Sequence, residues 1–441
     1  ITTTIDRSAQ TAAEMAARRT NPDSPMSKLS KDYMAAVVSI NPENGRVLAY
    51  YGGENATGTD FAGLNVDEKT GHLFGGHPPG STFKIYTLAA ALKAGVSMQS
   101  RWDATLDKDP DSGFPISNAG RTPSCGKTCT LEQSTIKSYN VPFYWIAKGL
   151  GPAKVVEAAR DAGIRTMWDN APRKGAPVND EVIDLTKVNP EDVAPSRFHN
   201  QVGYGQYRVT VLDHANGMAT IANRGTYNKA HFVAKVEHRD ATGKWAAVAG
   251  PQAKPKQVFE PAQMDALNGV LQKIPGSIDN QLADGRPATG KTGTWQFATS
   301  ERDNAHAWMV GATPQMATAV WIGDADGNAP IREPNGKPMG GSDSPAALWE
   351  KYMDDAHEAL NLDKEDFPEP KDVGDPNHEL ATGENPPAQP EPQPKPKCDN
   401  PLQLFCPPDG GGNNDHDRGG GRGGGGGVIL PTRPPYDEQR W

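Results

Sequence analysis

The alternation of apolar and polar positions predicts a sheet built from segments that lie far apart along the chain. Residues 35–40 and 46–51 are apolar, β-branched runs joined by the turn-forming residues 41–45, which is the pattern of a hairpin. Three further short runs with period-two character occur late in the chain, at residues 290–297, 306–312 and 316–323. Because the region between about residues 96 and 280 has mainly helical patterns, we expect strands from both ends to share one sheet with helices between them.

Helical spacing of apolar residues marks the other elements. Residues 81–94 follow this spacing and end at Gly95, so a helix is predicted to begin at Ser81. The remaining predicted helices cover residues 152–162, 211–223, 261–274 and 345–360. At the start, residues 1–5 form a β-type run, and Asp6 is a suitable N-cap for an alanine-rich helix over residues 7–19. We expect residues 1–30 to be a connector from a missing upstream region.

The composition changes at about residue 364. A tract rich in Pro, Glu and Lys runs to Lys397, a patch flanked by Cys398 and Cys406 follows, and residues 410–427 are rich in glycine. Such sequence has too little apolar surface to offset the entropy lost on ordering. We therefore expect residues 364–441 to be a disordered, Pro/Gly-rich tail and residues 31–363 to form the folded domain.

Composition and charge narrow the classes of function. The chain has 441 residues, of which 36% are apolar, so it can bury a large core. The formal net charge of -9 and the lack of a Lys/Arg cluster with interleaved aromatics argue against binding to nucleic acid or to an anionic membrane surface. The sequence begins at Ile1 and contains no long apolar stretch or basic leader, so we expect a mature form or a fragment whose targeting segment is missing.

Four cysteines fall in two close pairs, Cys125 with Cys129 and Cys398 with Cys406. Even, closely spaced pairs suit disulfides in an oxidising compartment, and we expect disulfides in preference to free thiols. Zinc is the rival interpretation, but two cysteines per cluster are too few and no histidine stands at ligand spacing beside either pair. The ten histidines are scattered, so neither a metal ion nor another cofactor is expected.

The main candidate for chemistry is the segment Ser81-Thr82-Phe83-Lys84. A hydroxyl and an amine three residues apart on a helix lie on one face within a turn of each other. An alcohol becomes an effective nucleophile when a base takes its proton, and a lysine can be that base if burial and nearby positive charge lower its pKa. At a helix N-terminus, the backbone N–H of Ser81 has no helical partner and is a candidate oxyanion donor.

Each short motif of the candidate site has a counterpart elsewhere in the chain. Ser-x-x-Lys tetrads also begin at Ser124 and Ser134, Ser39-Ile40-Asn41 parallels Ser138-Tyr139-Asn140, and Lys69-Thr70-Gly71 parallels Lys291-Thr292-Gly293. Local context separates them, because only Ser81 follows a Pro-Pro-Gly turn and opens a long apolar helix. Likewise, only the Lys291 motif lies on a predicted strand. The prediction of an active site therefore depends on the order of the motifs along the chain. Ser81 with Lys84 comes first, then Ser138 with Asn140, and then residues 291–294.

This ordered set resembles the penicillin-recognising active-serine enzymes, and most closely the transpeptidase half of bifunctional class A penicillin-binding proteins. The resemblance covers about residues 1–360, and it is carried by residues 1–10, 37–53, 79–84, 202–206, 219–223, 289–294 and 307–311. It implies an α/β fold of the α+β type, with a mostly antiparallel five-stranded sheet flanked by helices and a mainly helical subdomain. The active site would lie between the two. The Cys125/Cys129 pair departs from the family pattern, and a bridge there would stiffen the loop leading to Ser138.

The resemblance also implies roles for the residues of the first two motifs. Ser81 is the nucleophile that becomes acylated, and Lys84 is its base. Ser138 relays a proton towards the leaving amine. Asn140 holds the substrate amide. These four residues would thus carry the bond-making and bond-breaking steps.

The third motif is implied to bind and polarise the substrate. Lys291 supplies positive charge, and Thr292 and Thr294 bind the substrate carboxylate. The N–H groups of Ser81 and Thr294 form the oxyanion hole. Gly293 suits this place on independent grounds, because a side chain there would obstruct a ligand lying along the strand edge.

The implied function is that of a peptidoglycan D,D-transpeptidase. It would acylate Ser81 with a stem peptide ending in D-Ala-D-Ala, pass the acyl group to an amine of a second stem, and be inhibited by covalent β-lactam acylation. The implied partners are peptidoglycan stem peptides, β-lactam antibiotics and other cell-wall synthesis proteins, with no nucleic acid. The resemblance places the protein outside the cytoplasm, on the outer face of the cytoplasmic membrane. An N-terminal segment absent from this chain would anchor it, and a glycosyltransferase domain is expected upstream.

Other functions would use the same serine. A D,D-carboxypeptidase or a β-lactamase would use water as the acceptor, and a class A β-lactamase would need a glutamate on a loop between the second and third motifs. No convincing Glu-x-x-Leu-Asn sequence occurs there. A β-lactam sensor domain would be acylated and signal without turnover. An α/β-hydrolase is disfavoured because the Gly-x-Ser-x-Gly elbow is missing.

Overall fold

The computed structural model describes residues 1–169, 181–249, 254–297, 300, 302–327 and 329–384. Its strands are β1 (Thr2–Thr3), β2 (Tyr33–Ile40), β3 (Val47–Tyr51), β4 (Leu64–Val66), β5 (Leu73–Gly75), β6 (Arg101–Trp102), β7 (Cys129–Thr130), β8 (Thr166–Asp169), β9 (Glu181–Asp184), β10 (Thr226–Tyr227), β11 (Val233–Arg239), β12 (Trp245–Ala249), β13 (Lys256–Gln257), β14 (Thr289–Gln296), β15 (Asn304–Ala312) and β16 (Ala317–Asp324). Its α-helices are α1 (Arg7–Ala17), α2 (Lys84–Lys93), α3 (Leu131–Ile136), α4 (Val141–Leu150), α5 (Pro152–Ala162), α6 (Pro190–Arg197), α7 (Val211–Ala222), α8 (Pro261–Leu271), α9 (Lys273–Ser277) and α10 (Ser344–Ala359). Short 3₁₀ helices cover Pro25–Lys28, Gly80–Phe83, Gly126–Thr128, Asn200–Tyr204 and Ala283–Gly285.

The main sheet has five strands in the order β14-β15-β16-β2-β3, and every neighbouring pair is antiparallel. Strand β16 pairs with β2 in a register that sets Val320 opposite Val37, although the two residues are far apart in sequence. Strands from both ends of the chain therefore share one sheet, as the hydrophobic pattern predicted. The α+β class and the antiparallel five-stranded sheet are confirmed.

Both faces of this sheet are covered. Val37 contributes to a core with Val320 and Trp349 on the face where α1 and α10 pack. Its neighbour Val38 contributes to a larger core with Trp321 on the opposite face, where α7 packs. Successive residues of a strand point to opposite faces, so covering both faces of the sheet buries consecutive residues of its central strands. This explains why every residue of β16 is buried.

The first helix, which lies within the predicted connector over residues 1–30, is part of this core. Asp6 accepts hydrogen bonds from the N–H groups of Ser8 and Ala9, so the N-cap prediction is confirmed. Ala9, Ala13 and Ala16 are fully buried where α1 packs against α10 and β3. Alanine side chains allow this close packing, and the composition alone did not reveal it.

The folded unit also extends beyond the boundary predicted at residue 363. Arg286 donates hydrogen bonds to the carbonyls of Leu362 and Asp363. Further along, the N–H of Asp375 donates to Gly95 O at 2.7 Å, and the N–H of Gly383 donates to Arg101 O at 2.9 Å. Backbone hydrogen bonds need no particular side chains, so a boundary drawn from composition falls too early. The predicted disorder of residues 385–441 lies outside the described residues.

Several short strand pairs were not predicted in the region expected to be mostly helical. These pairs are β6 with β7, β8 with β9, β10 with β13, and β11 with β12. In the β11–β12 hairpin, Val233, Trp245 and Val248 are exposed, so the hairpin has no alternating buried face that a sequence pattern would reveal.

Among the described residues, none of the helices has both the length and the apolar character needed to cross a bilayer.

Candidate active site

Ser81 follows a turn that is held between two other parts of the chain. Gly80 has φ +53°, a left-handed conformation that favours glycine, and its N–H donates to Gly205 O at 3.0 Å. A Cβ on Gly80 would lie 2.4 Å from Thr294 O, and a Cβ on Gly205 would lie 2.0 Å from Gly80 O. These backbone approaches leave no space for larger residues. They fix the turn against β14 and leave Ser81 half-buried at the start of the helix.

Lys84 is fully buried, and oxygen atoms surround its side-chain nitrogen. Lys84 Nζ lies 2.9 Å from Ser81 Oγ, 2.9 Å from Ser138 O and 2.8 Å from Asn140 Oδ1. Its distance to Ser138 Oγ is longer, at 3.4 Å. The amine is therefore placed between the candidate nucleophile and the Ser138-Tyr139-Asn140 motif.

The surroundings of Lys84 favour its neutral form. Burial, followed by the charges of Lys291 and Arg121, holds the pKa of Lys84 well below its ordinary value. A neutral amine has two N–H donors and one lone pair. The carbonyl oxygens of Ser138 and the Asn140 side chain can only accept, so they take the two donors. The lone pair is then left for the hydroxyl proton of Ser81.

The second motif occupies a strained turn before α4. Ser138 has φ +58°, which is unfavourable for a residue with a Cβ. Asn140 is anchored on both sides: its Nδ2 donates to Ser117 O at 2.7 Å, and its N–H donates to Asn118 Oδ1 at 2.8 Å. Strain of this kind occurs where a site requires a particular side-chain direction. Here the turn directs the Ser138 hydroxyl towards both lysines.

Lys291 reaches the same hydroxyl from the sheet. Its Nζ donates to Ser138 Oγ at 2.8 Å and to Thr292 O at 3.1 Å. Burial and, secondarily, the charge of Arg121 lower the pKa of Lys291 to about 7. Near neutral pH this amine therefore exists in both protonation states. It can act as a positive charge or take part in proton transfer through Ser138.

The residues that follow Lys291 lie on β14, which is an edge strand of the sheet. An edge strand has backbone groups on one side that the sheet does not use. A Cβ on Gly293 would lie 2.3 Å from Pro79 O, so glycine is required where β14 meets the turn before Ser81. Thr292 and Thr294 are half-buried, and Thr294 Oγ1 accepts a hydrogen bond from the N–H of Gly341 at 3.1 Å.

A disulfide joins Cys125 and Cys129 beside the second motif. Cys129 is buried in a small cluster with Ala104 and Tyr139, the residue between Ser138 and Asn140. Tyr139 OH also accepts a hydrogen bond from the N–H of Ser124 at 3.2 Å. The disulfide loop thus packs directly on the Ser-x-Asn motif. The predicted pair Cys398 and Cys406 lies outside the described residues.

The structure brings together the five residues predicted to be catalytic, and it leaves their counterparts elsewhere. The joined set is Ser81, Lys84, Ser138, Asn140 and Lys291. By contrast, Ser134 is buried within α3 while Lys137 is exposed, and Lys69-Thr70-Gly71 lies in the exposed turn between β4 and β5. Context, which separated these motifs in the sequence, also separates them in the fold.

Sequence reasoning missed residues that act on the site from outside the motifs. Arg121 is exposed, its Nη1 donates to Lys137 O at 3.0 Å, and its charge lowers the pKa of both site lysines. His214, on α7, bonds to the side chain of Thr82. No motif or spacing in the sequence indicates either residue. Only their positions in the folded chain reveal them.

A serine hydroxyl, a buried amine and an edge strand at one end of a helix define an active-serine acyltransferase. The family model for the penicillin-binding protein transpeptidase domain matches residues 35–338. Penicillin-binding protein 1A of Mycolicibacterium smegmatis is 35% identical over 385 residues, which is 85% of this chain and 43% of the relative. Peptidoglycan D,D-transpeptidase PbpA of Mycobacterium tuberculosis is 27% identical over 307 residues, 65% of this chain and 60% of the relative.

Solved structures agree with the family match. The penicillin-binding protein PonA1 of Mycobacterium tuberculosis superimposes with a TM-score of 0.69 and 33% identity, covering 90% of this chain and 91% of that one. The complex of PonA1 with penicillin V gives a TM-score of 0.66 at 32% identity, covering 88% and 91%. The chain belongs to the penicillin-binding protein transpeptidase family. It spans less than half the length of the penicillin-binding protein 1A that it matches.

Proposed function

We propose that the chain is the transpeptidase domain of a peptidoglycan-synthesising enzyme, in which Ser81 is acylated by a stem peptide ending in D-Ala-D-Ala. The observation that carries this proposal is the environment of Lys84 Nζ. This nitrogen lies 2.9 Å from Ser81 Oγ, 2.9 Å from Ser138 O and 2.8 Å from Asn140 Oδ1. The last two oxygens can only accept hydrogen bonds. A neutral lysine in this setting is oriented to take the serine proton. It is therefore a general base for acylation.

In the acylation step, Ser81 Oγ bonds to the carbonyl carbon of the penultimate D-Ala and its proton passes to Lys84 Nζ. The C–N bond to the terminal D-Ala then breaks. The leaving nitrogen gains a proton through Ser138 Oγ, which lies between Lys84 and Lys291. An ester on Ser81 and free D-Ala result. A β-lactam undergoes the same attack, but its leaving nitrogen stays tethered to the acyl group.

The oxyanion of the tetrahedral intermediate is bound by the N–H groups of Ser81 and Thr294. Supporting this, the Gly80 turn and the Thr294 carbonyl are in close backbone approach, so the two N–H groups belong to adjoining segments. Removing one such donor typically costs about 3 kcal/mol of barrier. The pair therefore contributes to the rate on the same scale as the base.

Substrate binding uses the edge of β14 and the Ser-x-Asn motif. Thr292 and Thr294 bind the terminal carboxylate near the charge of Lys291, because hydroxyls and a cation suit a carboxylate. Asn140 holds a substrate amide. In the free protein its Oδ1 is bonded to Lys84, so substrate binding and the orientation of the base are coupled through this side chain.

Turnover ends when an amine of a second stem attacks the Ser81 ester. The relatives named penicillin-binding protein 1A are longer than this chain, and the proposal includes an upstream glycosyltransferase domain and an N-terminal membrane anchor in the complete protein. The domain then works outside the cytoplasm, on the outer face of the cytoplasmic membrane. Its partners there are stem peptides, β-lactams and other cell-wall synthesis proteins.

The acceptor distinguishes a transpeptidase from a hydrolase. The protein is mixed with a thioester analogue of the donor stem and a D-amino acid, and the products are separated by mass. A transpeptidase yields the D-amino acid conjugate in proportion to acceptor concentration. Release of the free acid alone, whatever the acceptor concentration, would instead indicate a carboxypeptidase. Rapid release of hydrolysed drug after reaction with penicillin would indicate a β-lactamase.

A further inference from the structure

A buried network of hydrogen bonds runs from Tyr86 on α2 through His214 on α7 to the turn that precedes Ser81. Tyr86 OH lies 2.7 Å from His214 Nδ1, and His214 Nε2 lies 2.8 Å from Thr82 Oγ1. The Thr82 hydroxyl in turn donates to Pro79 O at 2.8 Å. Tyr86, His214 and Thr82 are all at most 1% exposed. None of the three belongs to the residues that contact the substrate in the proposed function.

The direction of each hydrogen bond in this network can be worked out from its last acceptor, Pro79 O. The Thr82 hydroxyl has a single proton, which it donates to Pro79 O. His214 Nε2 must then donate to Thr82 Oγ1, and His214 Nδ1 must accept from Tyr86 OH. Burial lowers the pKa of His214 to about 3, so the ring is neutral and this one tautomer satisfies every contact. The network is therefore fully bonded in one arrangement.

The hydrogen-bond network ends where the turn before Ser81 meets β14. Pro79 O is the atom that would lie 2.3 Å from a Cβ on Gly293, and the preceding carbonyl, Pro78 O, accepts from Trp308 Nε1 at 2.9 Å. The His214 and Trp308 rings are themselves in edge contact, with centroids 5.6 Å apart. Two consecutive carbonyls of the turn are thus held: Pro78 O by Trp308 of the sheet, and Pro79 O by Thr82. A shift of either carbonyl would move Ser81, because Gly80 alone separates it from Pro79.

We propose that His214 is a positioning residue for acylation, which acts through Thr82 and the Pro79 carbonyl to fix Ser81 and its N–H against β14. The inference rests on the proposed role of Ser81 as the nucleophile. Its physical basis is that reacting groups must be held within a fraction of an ångström for full rate, since a misplacement of about 1 Å can cost about a hundredfold.

The test compares two buried histidines with similar bonding. His214→Leu removes the donor to Thr82, and His214→Gln retains an N–H donor of similar reach. The matched control is His357→Leu on α10, because His357 is also buried and bonds to Thr313 Oγ1 at 2.9 Å and to Met353 O at 2.6 Å. For each variant, the binding constant and the acylation rate constant for a fluorescent penicillin are measured separately, together with the melting temperature and D-amino acid exchange.

We expect His214→Leu to lower the acylation rate constant by about tenfold to a hundredfold with little change in the binding constant. His214→Gln should recover most of that loss. His357→Leu should lose comparable thermal stability and acylate at the wild-type rate. The proposal is overturned if His214→Leu acylates as fast as His357→Leu below their melting temperatures, because the histidine is then only structural.

A second variant decides the question if His214→Leu does not fold. Tyr86→Phe removes only the hydroxyl that fixes the His214 tautomer. A slower acylation rate constant in this folded variant supports the proposal, and a rate equal to that of the wild type overturns it. Failure of the proposed function is recognised separately, because the wild-type protein itself would then show neither a penicillin adduct nor exchange.

Discussion

Lys291 Nζ donates a hydrogen bond to Ser138 Oγ across 2.8 Å and so connects the edge strand β14 to the turn before α4. The same hydroxyl lies 3.4 Å from Lys84 Nζ, so it stands between two buried amines. Ser138 occupies this place with φ +58°, which is a strained conformation for any residue with a Cβ. The backbone strain and the proposed proton route therefore meet in one residue.

Substitution of Ser138 should separate activity from stability. Ser138→Ala and Ser138→Gly both remove the hydroxyl, and we expect both to slow acylation by about a hundredfold, the usual scale for loss of a positioned proton-transfer group. Ser138→Gly should also be more stable than Ser138→Ala, by up to about 1 kcal/mol, because glycine adopts this φ without strain. Denaturant unfolding and labelling with fluorescent penicillin measure the two effects. Equal stability of the two variants would show that the turn is not strained.

Arg121 should set the pH range in which the enzyme works. Its charge lowers the pKa values of Lys84 and Lys291, so Arg121→Gln should raise both. In this variant, a higher pH is needed before Lys84, the proposed base, becomes neutral and before Lys291 loses its charge. We expect the pH profile of the acylation rate constant to move to more alkaline values. Lys137→Gln removes an equal charge at the end of α3, next to Arg121, and should leave the profile in place. An unmoved profile in Arg121→Gln would contradict this account.

Burial of Lys291 should make stability depend on pH. The pKa falls from an ordinary value of 10.5 to about 7 in the folded protein. Between these values the unfolded chain binds more protons, so the free energy of unfolding rises with pH through this window. Over the whole window, the free energy of unfolding should rise by on the order of 5 kcal/mol, because each pKa unit of the shift corresponds to about 1.36 kcal/mol. Lys84, whose pKa burial also lowers, contributes a rise of its own, so Lys291→Met should make the rise from pH 7 to pH 10.5 less steep without removing it. An equally steep rise in the variant would contradict the assignment.

Gly293 should be intolerant of even one methyl group. In Gly293→Ala, the Cβ would lie 2.3 Å from Pro79 O and 2.8 Å from Thr82 Cγ2, so the turn carrying Ser81 must move away from β14. We expect acylation to fall by about tenfold or more, since the proposed oxyanion donors, the N–H groups of Ser81 and Thr294, separate. Gly58→Ala, where the nearest contact would be an ordinary 3.5 Å, serves as the control. Rapid labelling of Gly293→Ala would show that this close approach is not needed.

The sequence predicted those parts of the fold whose causes are local. Helix α5 has the predicted bounds, Pro152–Ala162, and in the structure proline stands in its first turn and Gly163 follows its last residue. The strands of the main sheet were predicted to within about two residues, since β-branched runs between turn residues define them. Likewise, Ser81 could be placed at a helix start because Pro79 and Gly80 determine the turn before it.

Contacts between distant segments could not be predicted in this way. His214 lies 132 residues from Thr82, and Lys291 lies 153 residues from Ser138. Their proximity depends on how helices pack on the sheet, which leaves no pattern in the chain. Residues 364–384 illustrate the same limit, because backbone hydrogen bonds hold them and their composition does not reveal that.

The most direct test of the account is the position of the covalent adduct formed with penicillin. The wild-type protein is compared with Ser81→Ala and with Ser134→Ala, which alters the first residue of another Ser-x-x-Lys tetrad. After reaction with penicillin and digestion, mass spectrometry should find the adduct on the peptide containing Ser81 in the wild type and in Ser134→Ala. It should be missing from Ser81→Ala. A penicillin adduct that persists in Ser81→Ala would contradict the assignment of Ser81 as the nucleophile.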